Sequence, residues 1–321
     1  VCGTIADCDD HEDIAAWGAA HIGFLRKHLP YAHGVPGERW LTIPMTRIDP
    51  ALFAAAFEGW VRESWPGGAG LVALDGKTSR RSHDRSAGAP PLHLVSAFAT
   101  SARLVLAAEA VPDKAGELAA IPPLPTRLGA EAGLKGALVS IDAIATNPDI
   151  ARAISGQGAD WLLAVKANQP GLRAEVEAAF AVTEPGCTHV ADDKGHGRIE
   201  TRRTAVLHDT AWLEDPRRFP GELRLPGLAC LVRTEATVEA RGTIRKETRS
   251  FASSRPLSSE AAAEAIREHW AIENRLHWVL DVTFADDLVR AANDKRSIKS
   301  RRKRAGWETT CLAAILASSP A

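Results

Sequence analysis

The sequence predicts an α/β protein in which a mixed sheet is flanked by helices. Strand-like apolar runs, separated by short polar segments as in a meander, occur at 71–75, 92–100 and 103–111. Two later apolar runs, at 136–143 and 160–168, alternate with segments of helical period. Residues 187–256 then alternate β-branched and charged side chains between Gly and Pro breaks, which is typical of antiparallel strands.

The first segment, residues 1–66, is predicted to be an N-terminal helical region. Apolar side chains recur near the 3.6-residue period of a helix at Ile14, Trp17, Ile22 and Leu25. A further helix is expected to begin at Asp49, because an Asp can cap the first free N–H groups and Pro50 is tolerated at the first helical position.

The rest of the chain divides at changes in pattern. Residues 67–186 are expected to form the first part of the core, with helices starting after Asn147 and after Gln169. The β-rich segment 187–256 is predicted to be an insertion whose antiparallel strands lie outside the main sheet. A long helix capped by Ser258 opens the core return, 257–294. The tail, 295–321, begins with ten residues of which seven are basic.

Composition and motif content exclude several classes of protein. The formal net charge of −1 gives no global attraction to nucleic acid, so any such partner must be held by local patches. Five cysteines without a CxxC pair favour a reducing cytosol over a disulfide scaffold or zinc site. No apolar run reaches the roughly 18 residues of a membrane span. GxSxG, P-loop and HExxH motifs are absent, and the single tyrosine, Tyr31, lies in a predicted turn, which argues against a tyrosine recombinase.

Three acids stand where they can converge. Asp75 and Asp142 each follow an apolar strand, and Glu273 lies on the predicted late helix. Carboxylate oxygens are preferred Mg²⁺ ligands, and two ions about 4 Å apart can activate a water and stabilise the leaving oxygen of a phosphodiester. Nucleic-acid phosphates would then be met by Lys77, Arg80 and Arg81. Spacing alone leaves a second interpretation open, because Asp also ends strands at ordinary turns and a helical Glu commonly faces solvent.

Five motifs in order resemble one family. ALDGKT, VSIDAIATNPDIARAI, ADWLLAVKANQPGL, DKGHGRIETRR and IREHWAIENRLHWVLDVTFADD are similar to segments of bacterial insertion-sequence transposases of the ISAs type, the H-repeat-associated proteins. The resemblance covers about residues 10–290 and implies a DDE-class enzyme with an RNase H-like core and a β-rich insertion before the last acid. It implies that the catalytic, metal-binding acids are Asp75, Asp142 and Glu273, holding two Mg²⁺ ions, with Mn²⁺ as an alternative.

The resemblance also implies partners. The family's basic and polar motif residues fall on Lys77, Lys166, Asn168, Gln169, His196, Arg198 and Arg202. Related transposases carry a Tyr, an Arg and a Lys around the catalytic Glu, where this chain has Ile266, His269 and Leu280, so Arg267 and Arg275 are weaker substitutes. Contacts to double-stranded DNA are therefore expected from Lys77, Arg80, Arg81, Lys166, Asn168, His196, Arg198, Arg202, Arg267, His269 and Arg275. A homodimer on paired element ends, located in the cytoplasm with the nucleoid, is expected from the family.

Some features of the late helix and beyond leave alternatives. Trp270 and Trp278 are expected to pack in the core rather than stack on bases. Solvated or helix-ending roles are expected for Asp281, Asp286 and Asp287. The family's apolar helix after the acidic pair has no counterpart before residue 295, which predicts an internal deletion. The main hypothesis is a Mg²⁺-dependent DNA strand-transferase; the alternatives are a catalytically inactive DNA-binding remnant and a nuclease that cuts without joining.

Overall fold

The computed structural model describes residues 2–6, 8, 11–47, 49, 52, 55–56, 59, 70–78, 91, 93–111, 121–132, 134–195, 198–213, 224–240 and 242–282. Predictions that lie outside these residues concern Arg80, Arg81, His196, Asp286, Asp287 and the tail 295–321. Within the described part, no helix is both long and apolar enough to cross a membrane.

Short helices occupy the described part of residues 1–66. Their bounds are Cys2–Ile5 (α1), His11–Ala20 (α2), Ile22–Leu25 (α3) and Glu38–Arg47 (α4). The predicted capping role of Asp49 agrees with its geometry, because its Oδ1 accepts a hydrogen bond from the Leu52 N–H at 3.2 Å.

The predicted mixed sheet forms the centre of the molecule, and it has nine strands in the part of the chain that the structure describes. The strands are Leu71–Thr78 (β1), His93–Ala99 (β2), Leu104–Val111 (β3), Leu138–Ile141 (β4), Asp160–Val165 (β5), Thr188–Gly195 (β6), Arg198–Leu207 (β7), Cys230–Ala240 (β8) and Thr243–Ser253 (β9). Their order across the sheet is β3-β2-β1-β4-β5-β9-β8-β7-β6.

The first five strands have the mixed arrangement expected of an RNase H-like core. β1, β2 and β3 form the predicted antiparallel meander, and β4 and β5 join β1 in parallel. Parallel neighbours require crossover connections, which the helices between the strands supply. Pro123–Ala132 (α5) precedes β4, and Pro148–Ser155 (α6) joins β4 to β5. A third helix, Pro170–Val182 (α7), follows β5. At the start of α6, Asn147 Oδ1 accepts from the N–H groups of Asp149 and Ile150, the predicted cap.

The antiparallel strands of 187–256 are confirmed, but their predicted separation from the main sheet is wrong. β9 pairs antiparallel with β5, so β6 to β9 extend the core sheet. An unpaired β5 edge would leave buried N–H and C=O groups without partners, and β9 satisfies them. The buried end of β9, which includes Phe251 and Ala252, is only a few residues long. The exposed, charged half preceding it dominates the alternation in the sequence.

The late helix packs on one face of the sheet. It comprises Ser259–His269 (α8), a π-helical segment, Ile272–His277, and Trp278–Val282 (α9). Ser258 Oγ accepts from the Ala261 N–H at 3.1 Å and caps α8 as predicted. Ala262, Ala265 and Ile266 of α8 are buried in a cluster with side chains from β4, β5, β8 and β9.

Candidate active site

The register of two parallel strands brings Asp75 and Asp142 together. Leu74 of β1 lies opposite Ile141 of β4, and this is the last pair of their ladder. The next residue on each strand is an aspartate. Because successive side chains on a strand point to opposite faces, both carboxylates leave the face that buries Leu74 and point to the α8 side. Two acids far apart in sequence therefore lie side by side where the β1–β4 ladder ends.

Glu273 reaches the same place from the late helix. It lies in the π-helical segment, in a cleft of about 310 Å³ that Asp75 and Asp142 also line. Single π turns within α-helices occur frequently at functional sites. The three acids predicted from the sequence thus face one cleft, between the ends of β1 and β4 and the helix above them.

The carboxylate of Asp142 is held by its own turn and by a lysine. Its Oδ1 accepts from the Ala143 N–H at 2.7 Å and lies 2.6 Å from Lys166 Nζ, just after the end of β5. Burial raises the pKa of Asp142, but the hydrogen bonds from Lys166 and Ala143 and the positive charge of Lys166 outweigh burial and leave this pKa below its ordinary value. Asp142 is therefore a carboxylate at neutral pH, and Lys166 is its cation.

Two amide side chains lock the loop that carries Asp142. Asn168 Nδ2 and Gln169 Nε2 both donate to the Ala143 carbonyl oxygen, at 2.8 and 2.7 Å. They tie the turn after β5 to the turn after β4, so the spacing between Lys166 and Asp142 is fixed by the backbone. In the protein without DNA, the Asn168 amide is used for this bond to Ala143, and its contact with DNA stays a prediction.

Asp75 is surrounded by groups that the sequence does not connect to it. Its Oδ1 accepts from the Gly76 N–H at 2.9 Å, and its Oδ2 lies 3.6 Å from His277 Nδ1. Two residues further along β1, Lys77 is 8% exposed and its Nζ lies 2.5 Å from Asp281 Oδ1. The contact of Lys77 with DNA phosphates stays a prediction, and in the protein alone its ammonium is buried and paired. Asp281, expected to be solvated, is that partner.

His269 is partly buried and lines the cleft together with Asp142. Its Nδ1 is 2.8 Å from Ser140 Oγ, and burial lowers its pKa to about 4, against the opposing effect of the Asp142 charge. The ring is neutral at pH 7. The contact of His269 with Ser140 joins the end of α8 to β4, and its contact with DNA stays a prediction.

The donor set suits a hard divalent cation in kind, since all three acids offer carboxylate oxygens. Among the described residues, no three His, Cys, Asp or Glu side chains are gathered as a ready-made metal site. Lys166 is paired with the Asp142 oxygen at 2.6 Å. The acids Asp75, Asp142 and Glu273 fit such an ion by chemistry and by position around the cleft, once the lysine withdraws.

Comparison with known families agrees with this architecture. Residues 66–315 match the family described as Transposase DDE domain, and residues 1–61 match the DDE_Tnp_1-associated family. The chain belongs to the DDE transposase family.

Relatives of this transposase span nearly its whole length. YhhI, an H repeat-associated protein of Escherichia coli (strain K12), is 30% identical over 349 residues, which cover 99% of this chain and 90% of YhhI. A protein encoded in the dhlA 3′ region of Xanthobacter autotrophicus is 38% identical over 259 residues, 79% of this chain and 84% of that protein. The alignment with YhhI has more positions than this chain has residues, so YhhI contains residues that the transposase lacks.

Among solved structures, a piggyBac transposase synaptic complex with hairpin DNA has a TM-score of 0.36 and 9% identity. The match covers 85% of this transposase and 61% of the piggyBac chain, so it spans less than two thirds of that protein.

The remaining arginines that were predicted to contact DNA and lie in the described part of the chain are paired with its own acids. Arg202 lies 2.9 Å from Glu200, which Arg198 also approaches at 3.8 Å. Arg267 bonds Asp193 of β6 at 2.9 Å. Arg275 approaches Glu268 and the Thr100 carbonyl, both at 3.4 Å. Ion pairs near the surface contribute little to stability, so these arginines can exchange their acidic partners for DNA phosphates. Their contacts with DNA stay predictions.

The expectation that Trp270 and Trp278 pack in the core is wrong. Trp278 is 56% exposed, and Trp270 lies on the rim of the cleft with the Arg249 guanidinium 4.4 Å from its ring centre.

Sequence reasoning missed Ser140, His277 and Glu247. Glu247 of β9 lines the cleft because β9 joins the main sheet, a pairing that no local pattern indicates. His277 carries a signal that could have found it: it lies four residues after Glu273, which on a helix is the same face. Ser140 could have been found the same way, two residues before Asp142 on one strand face.

Proposed function

We propose that this protein is a DNA transposase that cuts a phosphodiester bond at each end of an insertion sequence and joins the freed 3′-hydroxyl to target DNA. The observation that carries the proposal is the register of β1 and β4, which sets Asp75 and Asp142 side by side opposite Glu273 in one cleft. Strand-end carboxylates facing a cleft are where ligands collect in sheets of this type.

Asp75, Asp142 and Glu273 would hold divalent cations in this cleft. When bound, such ions supply Lewis-acid activation of the attacking oxygen and charge stabilisation of the leaving oxygen. In the first step a water oxygen bonds to phosphorus and the P–O3′ bond breaks, which leaves a 3′-hydroxyl and a 5′-phosphate. In the second step that 3′-oxygen bonds to a target phosphorus while the target's own 3′-oxygen leaves. Neither step forms a bond between protein and DNA.

Side chains around the cleft would bind the DNA and hold Asp142 in place. Lys166 is half exposed and flexible, so its ammonium can leave Asp142 and pair with a phosphate oxygen at the cleft. Arg249 and Trp270 form a cation–π pair on the rim, where a stacked base or sugar can lie. Asn168 and Gln169 keep the Asp142 turn rigid, which fixes one carboxylate while Lys166 moves.

The proposal is tested with a duplex that carries the DNA flanking this reading frame, incubated with Mg²⁺, with Mn²⁺ or with EDTA. The wild-type chain should nick the duplex with either metal and not with EDTA. Asp75→Ala, Asp142→Ala and Glu273→Ala should each lower cleavage by at least about a thousandfold, since the acids act as a unit. DNA binding in a gel-shift assay should survive, because phosphate contacts come from other residues.

A matched control uses an acid outside the cleft. Asp149, at the start of α6, is highly exposed and pairs with Arg152, so Asp149→Ala should cut like the wild type. Cleavage by Asp142→Ala at the wild-type rate would remove Asp142 from the site. A wild-type chain that cuts without joining is the nuclease alternative. One that binds DNA without cutting is the remnant alternative, which the extra residues of YhhI favour.

A further inference from the structure

Four polar side chains recur at every fourth residue of the late helix. His269, Glu273, His277 and Asp281 form this stripe. Three of its members meet a polar group of the sheet: Ser140, Asp75 and Lys77, in that order. The fourth, Glu273, faces the cleft between them. The stripe follows the line of the proposed site from β4 to β1.

The π-helical segment keeps the stripe on one face. On an ideal α-helix each residue turns about 100°, so four-residue steps drift by about 40° each and three steps by about 120°. Bonding from i to i+5 adds a residue to each hydrogen-bonded ring and unwinds the helix. Placed at Ile272–His277, in the middle of the stripe, this segment compensates the drift of the α-helical turns on either side.

His277 is the member of the stripe that faces Asp75, and the proposed function gives it no role so far. Its side chain is 13% exposed, and Nδ1 points to Asp75 Oδ2 at 3.6 Å. Its Nε2 is buried and makes no hydrogen bond within the described part of the chain. A proton on Nε2 would leave the Nδ1 lone pair facing a carboxylate. The Nδ1–H tautomer avoids that repulsion and turns an N–H towards the carboxylate, at a distance slightly longer than a hydrogen bond.

We propose that His277 is a positioning residue for Asp75: its Nδ1–H orients the carboxylate so that Oδ1 and Oδ2 face the cleft and can bind a divalent cation. This inference rests on the proposed function of Asp75. It assigns His277 no contact with DNA and no proton transfer. Lys77 and Asp281 hold the next turn of the helix against β1, which keeps the ring over Asp75.

The test uses the different reach of two amides. The amide nitrogen of Asn stands two bonds from Cβ, as Nδ1 does, whereas that of Gln stands three bonds away, as Nε2 does. His277→Asn, His277→Gln and His277→Leu are compared in the full chain. The readouts are Mn²⁺ affinity, from the electron paramagnetic resonance signal of the free ion, and Mn²⁺-dependent cleavage of the duplex described above. Thermal melting in EDTA shows that each variant is folded.

We expect His277→Asn to keep Mn²⁺ affinity and cleavage within about threefold of wild type, and His277→Gln and His277→Leu to lose about tenfold or more in both, because neither places an N–H where Nδ1 stands. Melting temperatures should not follow this order, since packing alone would favour Leu and Gln over Asn at a buried position. A His277→Leu chain that binds Mn²⁺ and cuts like the wild type overturns the role of His277 and leaves the proposed function standing. A wild-type chain that binds no Mn²⁺ and cuts nothing overturns both.

Discussion

Replacing Lys166 with Met tests the ion pair at the centre of the site. The ammonium lies 2.6 Å from Asp142 Oδ1, with side chains that are 55% and 46% exposed respectively. Met keeps most of the aliphatic stem and removes the charge. If Asp142 binds a divalent cation, that cation and the lysine compete for one oxygen, so removal of the lysine should strengthen cation binding while it barely changes stability.

The two effects differ in size. A half-exposed ion pair contributes about 0–1 kcal/mol to folding, so the free energy of unfolding should fall by no more than that. Two unit charges about 4 Å apart interact by about 1 kcal/mol in water and about 4 kcal/mol at an effective dielectric of 20. Because this pair is half exposed, the lower part of that range applies. We therefore expect Lys166→Met to bind Mn²⁺ about tenfold more tightly, which corresponds to about 1.4 kcal/mol.

Mn²⁺ titration at low ionic strength measures the affinity, and urea unfolding measures stability. Lys135→Met is the matched control, since Lys135 is an exposed lysine in the turn before β4, at the other end of that strand from Asp142. The Lys166→Met protein should bind Mn²⁺ more tightly than the control, and added salt should narrow the difference. Equal or weaker binding by Lys166→Met would refute the view that Lys166 holds the place of a cation.

Two further expectations concern stability. Burial lowers the pKa of His269 and of His277 from 6.5 to about 4, so on acidification the unfolded chain binds these protons first. Stability in EDTA should therefore be full above pH 6.5 and fall towards pH 4 by about 1.4 kcal/mol per pH unit for each ring, and His277→Asn should remove about half of that slope in urea unfolding. Arg255 bonds Asp160 Oδ2 at 2.8 Å and the Gly136 carbonyl at 2.7 Å. Arg255→Met should lower the free energy of unfolding by about 1–3 kcal/mol, and an unchanged urea midpoint would show that solvent replaces both bonds.

The core strands and the pair of aspartates could be predicted because their signals are local. Leu71–Leu74 of β1 are all apolar, β4 is apolar except for Ser140, and an acid comes next after Leu74 and after Ile141. Parallel strands joined by a helix present their carboxyl ends at one edge, so two strand-end acids were expected to meet. The caps at Asn147 and Ser258 were equally local, since a cap is defined by its own residue and the next three.

The pairing of β5 with β9 could not be predicted, because it joins residues about ninety positions apart and depends on which edge is left open when the core has formed. The burial of Lys77 also lay beyond local pattern. A lysine between a glycine and a threonine suggests an exposed cation. Its burial is possible because Asp281, on a helix about two hundred residues later, compensates the free-energy cost of removing the charge from water. The exposure of Trp270 and Trp278 depends likewise on which helix face meets the sheet.

The place of Glu273 depends on the inserted strands as much as on the core. β4 and β6 are five positions apart in the sheet, about 24 Å if the sheet were flat. Yet His269 bonds Ser140 of β4, and Arg267, two residues earlier, bonds Asp193 of β6. We infer from these two bonds that the sheet curves towards α8, whose outer face stays exposed.

The contacts between α8 and β6 to β8 connect the β-rich segment 187–256 to the chemistry proposed for the cleft. α8 begins directly after β9, and it contacts β6, β7 and β8 as well as β1 and β4. The core strands fix two of the three acids, and the curled extension determines the angle at which the helix carries the third over them. A change that straightens β6 to β9 would therefore move Glu273 away from Asp75 and Asp142 without touching any of the three acids.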